Sequence, residues 1–238
     1  FKGKPIIALK YGFSELQSKK LTDPLADPGS LELKLGYATN RKSKYADFLT
    51  RYTEHGIIIS NFSKDLSSKT VTPASITSDI WQFGITSGNG YGYKLGESSA
   101  IIPYSSGSFI WTRFDFKTSP VLPEDIEYTE LYQGSFRFGT KAEGGVKIQI
   151  IPLLTLEAGY ERAAIFSRHL FWKHLGSMII ESAGQAAIDG FVREILKSSP
   201  AAGPIIDFIL KNSLSYAMYE LRKDKMHWPF ESAAPITY

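Results

Sequence analysis

Residues 30–39 read S-L-E-L-K-L-G-Y-A-T, and this stretch raises the question of which face of a strand meets water. Side chains alternate along a strand, so one face of the extended chain is purely apolar and carries Leu31, Leu33, Leu35 and Tyr37. Glu32 and Lys34 lie on the other face. In a half-buried soluble strand the leucines would face a core, whereas in a membrane barrel they would face lipid and the charges a polar lumen.

The composition is that of a chain long enough to bury a core without covalent cross-links. It has 238 residues, of which 43% are hydrophobic and 13% aromatic, and no cysteine. The absence of cysteine excludes disulfides and thiolate metal sites. The net charge of +3 is too small to indicate nucleic-acid binding, and the basic run at 40–44 is typical of a solvated turn. The sequence contains no uncharged apolar stretch of about 18 residues, so we predict no transmembrane helix.

Residues 5–166 repeat the alternation of the opening stretch and predict an antiparallel barrel of about 8–10 strands. The other candidate strands are 5–13, 56–62, 79–87, 91–95, 108–117, 134–140, 146–151 and 154–166. The Asn89–Gly90 dipeptide predicts a hairpin turn, and Gly144–Gly145 separates the strand before it from the strand after it. Several candidates approach the length of about nine to eleven residues with which a tilted strand crosses a bilayer.

Charged residues of both signs recur inside these strands, among glycines and small residues. The facing rows carry leucine, tyrosine, phenylalanine and tryptophan. A narrow lumen needs small side chains and paired charges, whereas outward aromatic rows suit the two membrane interfaces. We therefore predict a lumen charge network of Glu32, Lys34, Arg113, Asp115, Arg137 and Glu157. Such a network more often keeps a small barrel rigid than conducts protons or ions.

In this patterning the chain resembles small bacterial outer-membrane β-barrel proteins. The resemblance covers residues 5–166 and rests on S-L-E-L-K-L-G-Y, I-W-Q-F-G-I, F-R-F-G and L-T-L-E-A-G-Y-E. It implies location in the bacterial outer membrane and contact with membrane lipids. Many such barrels end on an aromatic residue, which Tyr238 fits, although Pro235 and weak alternation precede it. An open sheet edge does not suit a membrane, so we expect the natural chain to continue beyond Tyr238 with a closing strand.

The period changes after residue 166. An i, i+4 polar stripe of Glu181, Gln185, Asp189, Arg193 and Lys197 predicts a helix over 174–197. A second helix is predicted at about 204–223, after the break at 198–204. Both arms of this helical hairpin are amphipathic. We expect their apolar faces to be buried against the barrel mouth, inside the barrel, in the membrane interface or on a partner, while a hairpin that only covers one end of the sheet is equally consistent.

These features predict three segments. Residues 1–166 form the antiparallel β-barrel, 167–225 the helical hairpin, and 226–238 an aromatic tail or the start of a closing strand. The candidate residues for an interface or partner are Phe191, Ile195, Phe208, Trp228 and Phe230. Through the hairpin the chain offers a surface for other envelope proteins.

No motif predicts catalysis, a cofactor or a metal. Gly96–Ala100 is not a nucleophile elbow, because Ile101-Ile102-Pro103 follows where that motif needs a helix. The four histidines are His55, His169, His174 and His227, and no two have the i, i+4 spacing of a helical zinc site. An outer-membrane lipid-modifying hydrolase remains an alternative, and it would need a serine–histidine pair such as His55 with Ser60 or Ser87.

The sequence as a whole favours an outer-membrane β-barrel without catalysis, acting as a structural or accessory subunit of a cell-envelope assembly. The second alternative is a soluble lipid-binding barrel. In that protein the leucine and aromatic rows would face inward around a cavity.

Overall fold

The computed structural model describes residues 3–67, 75–118, 120, 122–168, 171–230 and 234–238. Its described strands form one antiparallel sheet, which agrees with the predicted mainly β fold. The strands are β1 (Lys4–Phe13), β2 (Gln17–Ser18), β3 (Gly29–Lys42), β4 (Leu49–Ser63), β5 (Ser78–Lys94), β6 (Ala100–Phe116), β7 (Phe136–Ile151), β8 (Leu154–Ile165) and β9 (Ile236–Thr237). Their order in the sheet is β1-β3-β4-β5-β6-β7-β8-β9-β2.

The sheet curls but does not close, which corrects the prediction of a closed barrel. Six antiparallel steps lead from β1 to β8, so these two strands run in the same direction and cannot pair antiparallel with each other. Short β9 pairs antiparallel both with the end of β8 and with β2, which follows β1 along the chain. It therefore joins the two sides at one end. The opening that remains between β1 and residues 154–163 of β8 is called the lateral slot below.

Two predicted strand breaks are wrong, because β5 continues through Asn89–Gly90 and β7 through Gly144–Gly145. The glycines serve close packing instead of turns. A Cβ atom at Gly90 would overlap the Pro103 carbonyl of β6, and one at Gly144 would overlap the Asn212 side chain. The β5–β6 connection lies at 95–99, where the Leu95 amide donates to the Ser99 carbonyl at 2.9 Å.

Three helices accompany the sheet: α1 (Pro123–Glu130), α2 (Phe171–Ser198) and α3 (Gly203–Asp224). The last two cover the residues to which periodicity assigned two helices, whereas α1 was not predicted. Helix α1 starts with proline and buries Tyr128, whose hydroxyl donates to the Ala234 carbonyl at 2.9 Å. Of the helices that the structure describes, none has the length and hydropathy to cross a membrane.

The interior of the curled sheet has an apolar part and a charged part. Next to α1 lies an apolar cluster that includes Phe62, Ile80, Ile110, Phe114, Tyr132, Ile236 and Tyr238. Tyr238 packs its ring on Phe62 at 5.0 Å and donates from its hydroxyl to Gln82 Oε1 at 3.0 Å. Further along the strands, away from α1, the inward positions carry lysine and glutamate.

Candidate functional site

The charged part of the interior holds four lysines and five glutamates, called the interior charge cluster. Its members are Lys10, Lys34, Lys141, Lys147, Glu32, Glu54, Glu143, Glu157 and Glu161. They come from β1, β3, β4, β7 and β8, so the cluster connects strands that are distant in the sheet order. Side chains alternate along a strand, and on each strand these residues belong to the row that faces inward.

Glu54 is the most deeply buried carboxylate of this cluster, with its side chain 1% exposed. It lies 3.1 Å from Lys34 Nζ and 3.2 Å from Lys147 Nζ, and the Tyr52 hydroxyl donates to it at 2.7 Å. A buried charge is costly unless all its partners are in place. Glu54 is thus held by two ammonium groups and one hydroxyl.

Glu157 connects the cluster to β1. Its carboxylate lies 2.7 Å from Lys10 Nζ and 2.5 Å from Lys147 Nζ, and the Tyr104 hydroxyl donates to it at 2.8 Å. Lys10 also pairs with Glu143 at 2.5 Å. These contacts cross the lateral slot on its inner side.

A second group of pairs lies nearer the apolar cluster. Lys141 Nζ is 2.5 Å from Glu32 and 3.0 Å from Glu161, and Ser60 donates to Glu32 at 2.9 Å. Four lysines against five glutamates leave the cluster almost neutral, so most charges find their partners within it. The arrangement is that of a connected structural network, in which each charge is satisfied by neighbours.

Three of the six predicted network residues lie in this cluster, namely Glu32, Lys34 and Glu157. Arg113 and Asp115 do not. They alternate with the buried Thr112 and Phe114 of β6 and therefore point outward, where Asp115 pairs with Lys117 at 2.6 Å. Arg137 lies opposite Thr112 in the β6–β7 register, two inward positions beyond Lys141.

The sequence pattern does not place Lys141 and Glu143 in the network, because one predicted strand ends at Thr140 and the next begins at Val146. Glu54 is absent from the predicted network because the third predicted strand begins at Gly56, whereas β4 begins at Leu49. The signal was present. Lys141, Glu143, Gly145 and Lys147 continue one alternating inward row through β7.

The lateral slot leads into a cavity of about 1950 Å³. The slot has apolar outer rims, formed by Ile7 and Leu9 on β1 and by Leu154 and Leu156 on β8, and charged residues line its inner side. The end of α3 borders the same opening, where Lys19 of the β2 region pairs with Asp224.

The outer wall of the sheet is apolar and exposed. This outer belt comprises Ile7, Leu9, Leu31, Leu33, Leu35, Ile57, Ile59, Trp81, Phe83, Ile85, Leu154 and Leu156. Ile7 is 78% exposed and Leu9 71%. A soluble apolar-ligand carrier needs such rows to face inward, and here they face outward while the charges are inside.

Helix α3 lies across the outer wall from β5 to β8. Lys211 Nζ donates to Asn89 Oδ1 on β5 at 2.6 Å, and Asn212 packs on Gly144 of β7. Further along the helix, the Arg162 guanidinium of β8 stacks 4.5 Å from the Tyr216 ring. The wall under the helices carries small and polar residues such as Gly144 and Asn89, together with Leu49, Tyr91 and Tyr93, which pack on apolar residues of the helices.

Helix α2 runs antiparallel to α3, and three residues of its polar stripe, Glu181, Gln185 and Asp189, contact α3. Asp189 lies 2.8 Å from Lys211, and Glu181 lies 2.7 Å from Arg222. Burial raises the pKa of the Asp207 carboxyl, although the nearby Lys211 ammonium acts in the opposite direction. Apolar residues of the pair are buried as well, since Val192 and Leu196 of α2 pack with Ile206 and Leu210 of α3 and with Tyr91 and Tyr93 of β5. The expectation that the apolar faces would be buried is therefore met for part of the helix pair, while Ile179, Ile205 and Ile209 stay exposed.

The predicted partner-binding residues occupy different environments. Phe191 is 58% exposed, whereas Ile195, Phe208 and Trp228 are half-buried. The Phe230 ring lies against Gly176 of α2. The structure does not gather them into one surface.

The serine and histidine residues form no hydrolytic arrangement among the residues described. His55 and Ser87 lie directly opposite each other on β4 and β5 and both face outward, but no hydrogen bond joins them in the described part of the chain. Ser60 faces inward toward Glu32. The His174 and His227 rings pack on Phe166, and His169 lies outside the described residues.

A metal site is not formed within the described ranges, where no group of three or more histidine, cysteine, aspartate or glutamate side chains could hold an ion.

Comparison with known proteins adds little. No protein-family model matches the chain. No curated protein matches it either. Among solved structures, it is similar to the crystal structure of Ail, the attachment invasion locus protein of Yersinia pestis, at 13% sequence identity and a TM-score of 0.34. The match covers 70% of this chain and 91% of that one.

Proposed function

We propose that this chain is a lipid-embedded β-barrel of the bacterial outer membrane, acting as a structural or accessory subunit of an envelope assembly. One observation carries the proposal. The sheet turns rows of large apolar side chains outward and encloses a lysine–glutamate cluster beside the apolar part of its interior, whereas a soluble protein turns its charges outward.

The energetics favour lipid as the medium around the outer belt. Full burial of one large apolar side chain is worth about 1.5–3 kcal/mol, and the belt leaves twelve such side chains facing out. Contiguous exposed apolar surface of this kind marks an interaction or membrane surface. In a bilayer this surface contacts acyl chains, and the charges remain out of the lipid.

The structural role follows from the interior. Network charges that are satisfied by each other stabilise a scaffold, and the described residues supply neither a metal site nor an activated nucleophile. Membrane lipids are the first partners of such a chain, and other envelope proteins are further partners that we propose without assigning a surface.

The test compares two leucines that are both exposed but lie in different places. Leu33 belongs to the outer belt, and Leu95, 62% exposed, begins the β5–β6 turn. The chain is expressed with an export signal as wild type, Leu33→Arg and Leu95→Arg. Arginine on a lipid face costs about 2–4 kcal/mol at the bilayer midplane, so Leu33→Arg should impair assembly and Leu95→Arg should not.

The readouts are sedimentation with outer membranes, resistance to carbonate extraction and a gel shift on heating. The proposal requires wild type and Leu95→Arg to pass all three and Leu33→Arg to lose the heat shift. A wild-type chain that is soluble without detergent, or two arginine variants that behave alike, would refute it.

A further inference from the structure

The exposed face of α3 carries no acidic or basic side chain over most of its length. Between residues 203 and 223 the exposed positions are Ile205, Ile209, Ser213, Tyr216, Ala217 and Leu221, and the exposed Asp224 ends the helix. Two charged residues of the same span, Asp207 and Lys211, are buried against the sheet and α2. An ordinary surface helix shows the reverse distribution.

Helix α2 repeats this inversion between residues 174 and 188. Its exposed positions between residues 179 and 187 are Ile179, Ile180, Ser182, Ala183, Ala186 and Ala187. Glu181 turns toward α3 and pairs with Arg222, which is buried together with its other partner Ser177. The exposed charged residues of α2 lie toward its two ends, with Lys173 in the first turn and Asp189, Arg193, Glu194 and Lys197 in the last three turns.

The polar groups of the helix pair are satisfied on the inner side. The ammonium group of Lys211 contacts three side chains at once, those of Asn89, Asp189 and Asp207. Where the helices cover the wall, these polar contacts accompany a buried apolar cluster around Leu49, Val192 and Leu196. The surface facing away from the protein is left apolar, as it is on the uncovered strands.

The helix pair also adjoins the outward aromatic residues of the sheet. At the start of α2, His174 packs on the rings of Phe109 and Phe138. Phe138 in turn contacts Trp111 on the same outer face of β6. The apolar surface of the helices is thus continuous with that of the strands.

We propose that α2 and α3 lie in the same lipid as the outer belt, flat against the wall, with Ile179, Ile209 and Leu221 in contact with acyl chains. This inference rests on the proposed function. It adds that the helices are part of the lipid-facing surface and do not project into water.

The experiment uses single cysteines, since the natural sequence has none. Ile179→Cys and Ile209→Cys report on the helices, Leu33→Cys on the outer belt and Glu97→Cys on the β5–β6 turn. Each is labelled with bimane in the full chain and reconstituted in vesicles of phosphatidylcholine with either plain or brominated acyl chains. All four positions are exposed, and the heat shift verifies folding of each variant.

If the inference holds, bromine quenches the helix labels as strongly as the label at residue 33 and leaves the label at residue 97 unchanged. Quenching at residue 33 without quenching on the helices overturns the inference and leaves the proposed function intact. The absence of quenching at residue 33 refutes the proposed function itself. Helix labels that are shielded from water but not quenched would identify a protein partner in place of lipid and would also overturn the inference.

Discussion

Lys10 and Glu157 form an ion pair of 2.7 Å between β1 and β8, two strands that share no backbone pairing in the described sheet. The two strands run parallel, so the antiparallel ladder that holds every other pair of long neighbours cannot form between them. Side-chain charges and the two-residue strand β9 therefore hold the open side together. A single substitution can remove each of these contacts separately.

Replacement of Lys10 by methionine should lower stability by about 3 kcal/mol, because Glu143 and Glu157 would keep buried charge without this ammonium. The quantity to measure is the urea midpoint in detergent micelles. Lys4→Met is the matched control, since Lys4 lies on the same strand but is exposed. Equal midpoints for the two variants would show that the ion pair does not hold the slot.

Glu54→Gln should be among the most damaging single changes at an interior carboxylate. It removes the charge that faces both Lys34 and Lys147, and we expect a loss of about 3 kcal/mol. Glu161→Gln is the comparison, because its side chain is 27% exposed and its pairing is screened by solvent. Unfolding curves of both variants measure the loss of stability. A larger loss of stability for Glu161→Gln than for Glu54→Gln would contradict the arrangement of the interior charge cluster.

Gly144→Ala should loosen α3 from the wall by about 1 kcal/mol, since the new methyl group would overlap the Asn212 side chain. Gly107→Ala on β6 is the control, because a methyl group there meets nothing within 4 Å. Hydrogen exchange of the α3 amides is the measurement. The double variant Gly144→Ala with Asn212→Ala should restore protection, and faster exchange in Gly107→Ala would remove the steric explanation.

Ile236→Ala should release β9 from β8 and β2, because Ile236 is fully buried and pairs with Ile165 and Ser18. Truncation of a buried isoleucine costs about 2–5 kcal/mol. Leu153→Ala, at a side chain 94% exposed, should change little. Protease cleavage near Gln17 and thermal unfolding are the readouts, and unchanged cleavage would mean that β9 does not hold this end.

The lengths of the helices and the two faces of most strands could be predicted from the sequence because both depend on local periodicity. Strand alternation placed Lys10, Glu32, Lys34 and Glu157 on one face and the leucines on the other. The same rule failed at Arg113 and Asp115, since Thr112 and Phe114 of the neighbouring row are equally compatible with either side. Only the pairing of β6 with its neighbours decided which row lies inside.

Glycine was the main source of error. The sequence predicts a turn at Gly90 and a strand break at Gly144, because locally a glycine that permits a turn and one that admits a neighbouring atom look alike. The difference lies in the Pro103 carbonyl and the Asn212 side chain, which come from distant parts of the chain.

By itself the sequence determined the two faces of most strands, the two long helices and the separation of charged from apolar rows. Each of these depends on a local repeat of two or about four residues. The tertiary structure alone decided that β1 and β8 leave a slot, that β9 bridges one end of it, and that the helix pair turns its charges toward the wall. These depend on the number of strands, their register and the medium around the protein, which act over distances that no local pattern records.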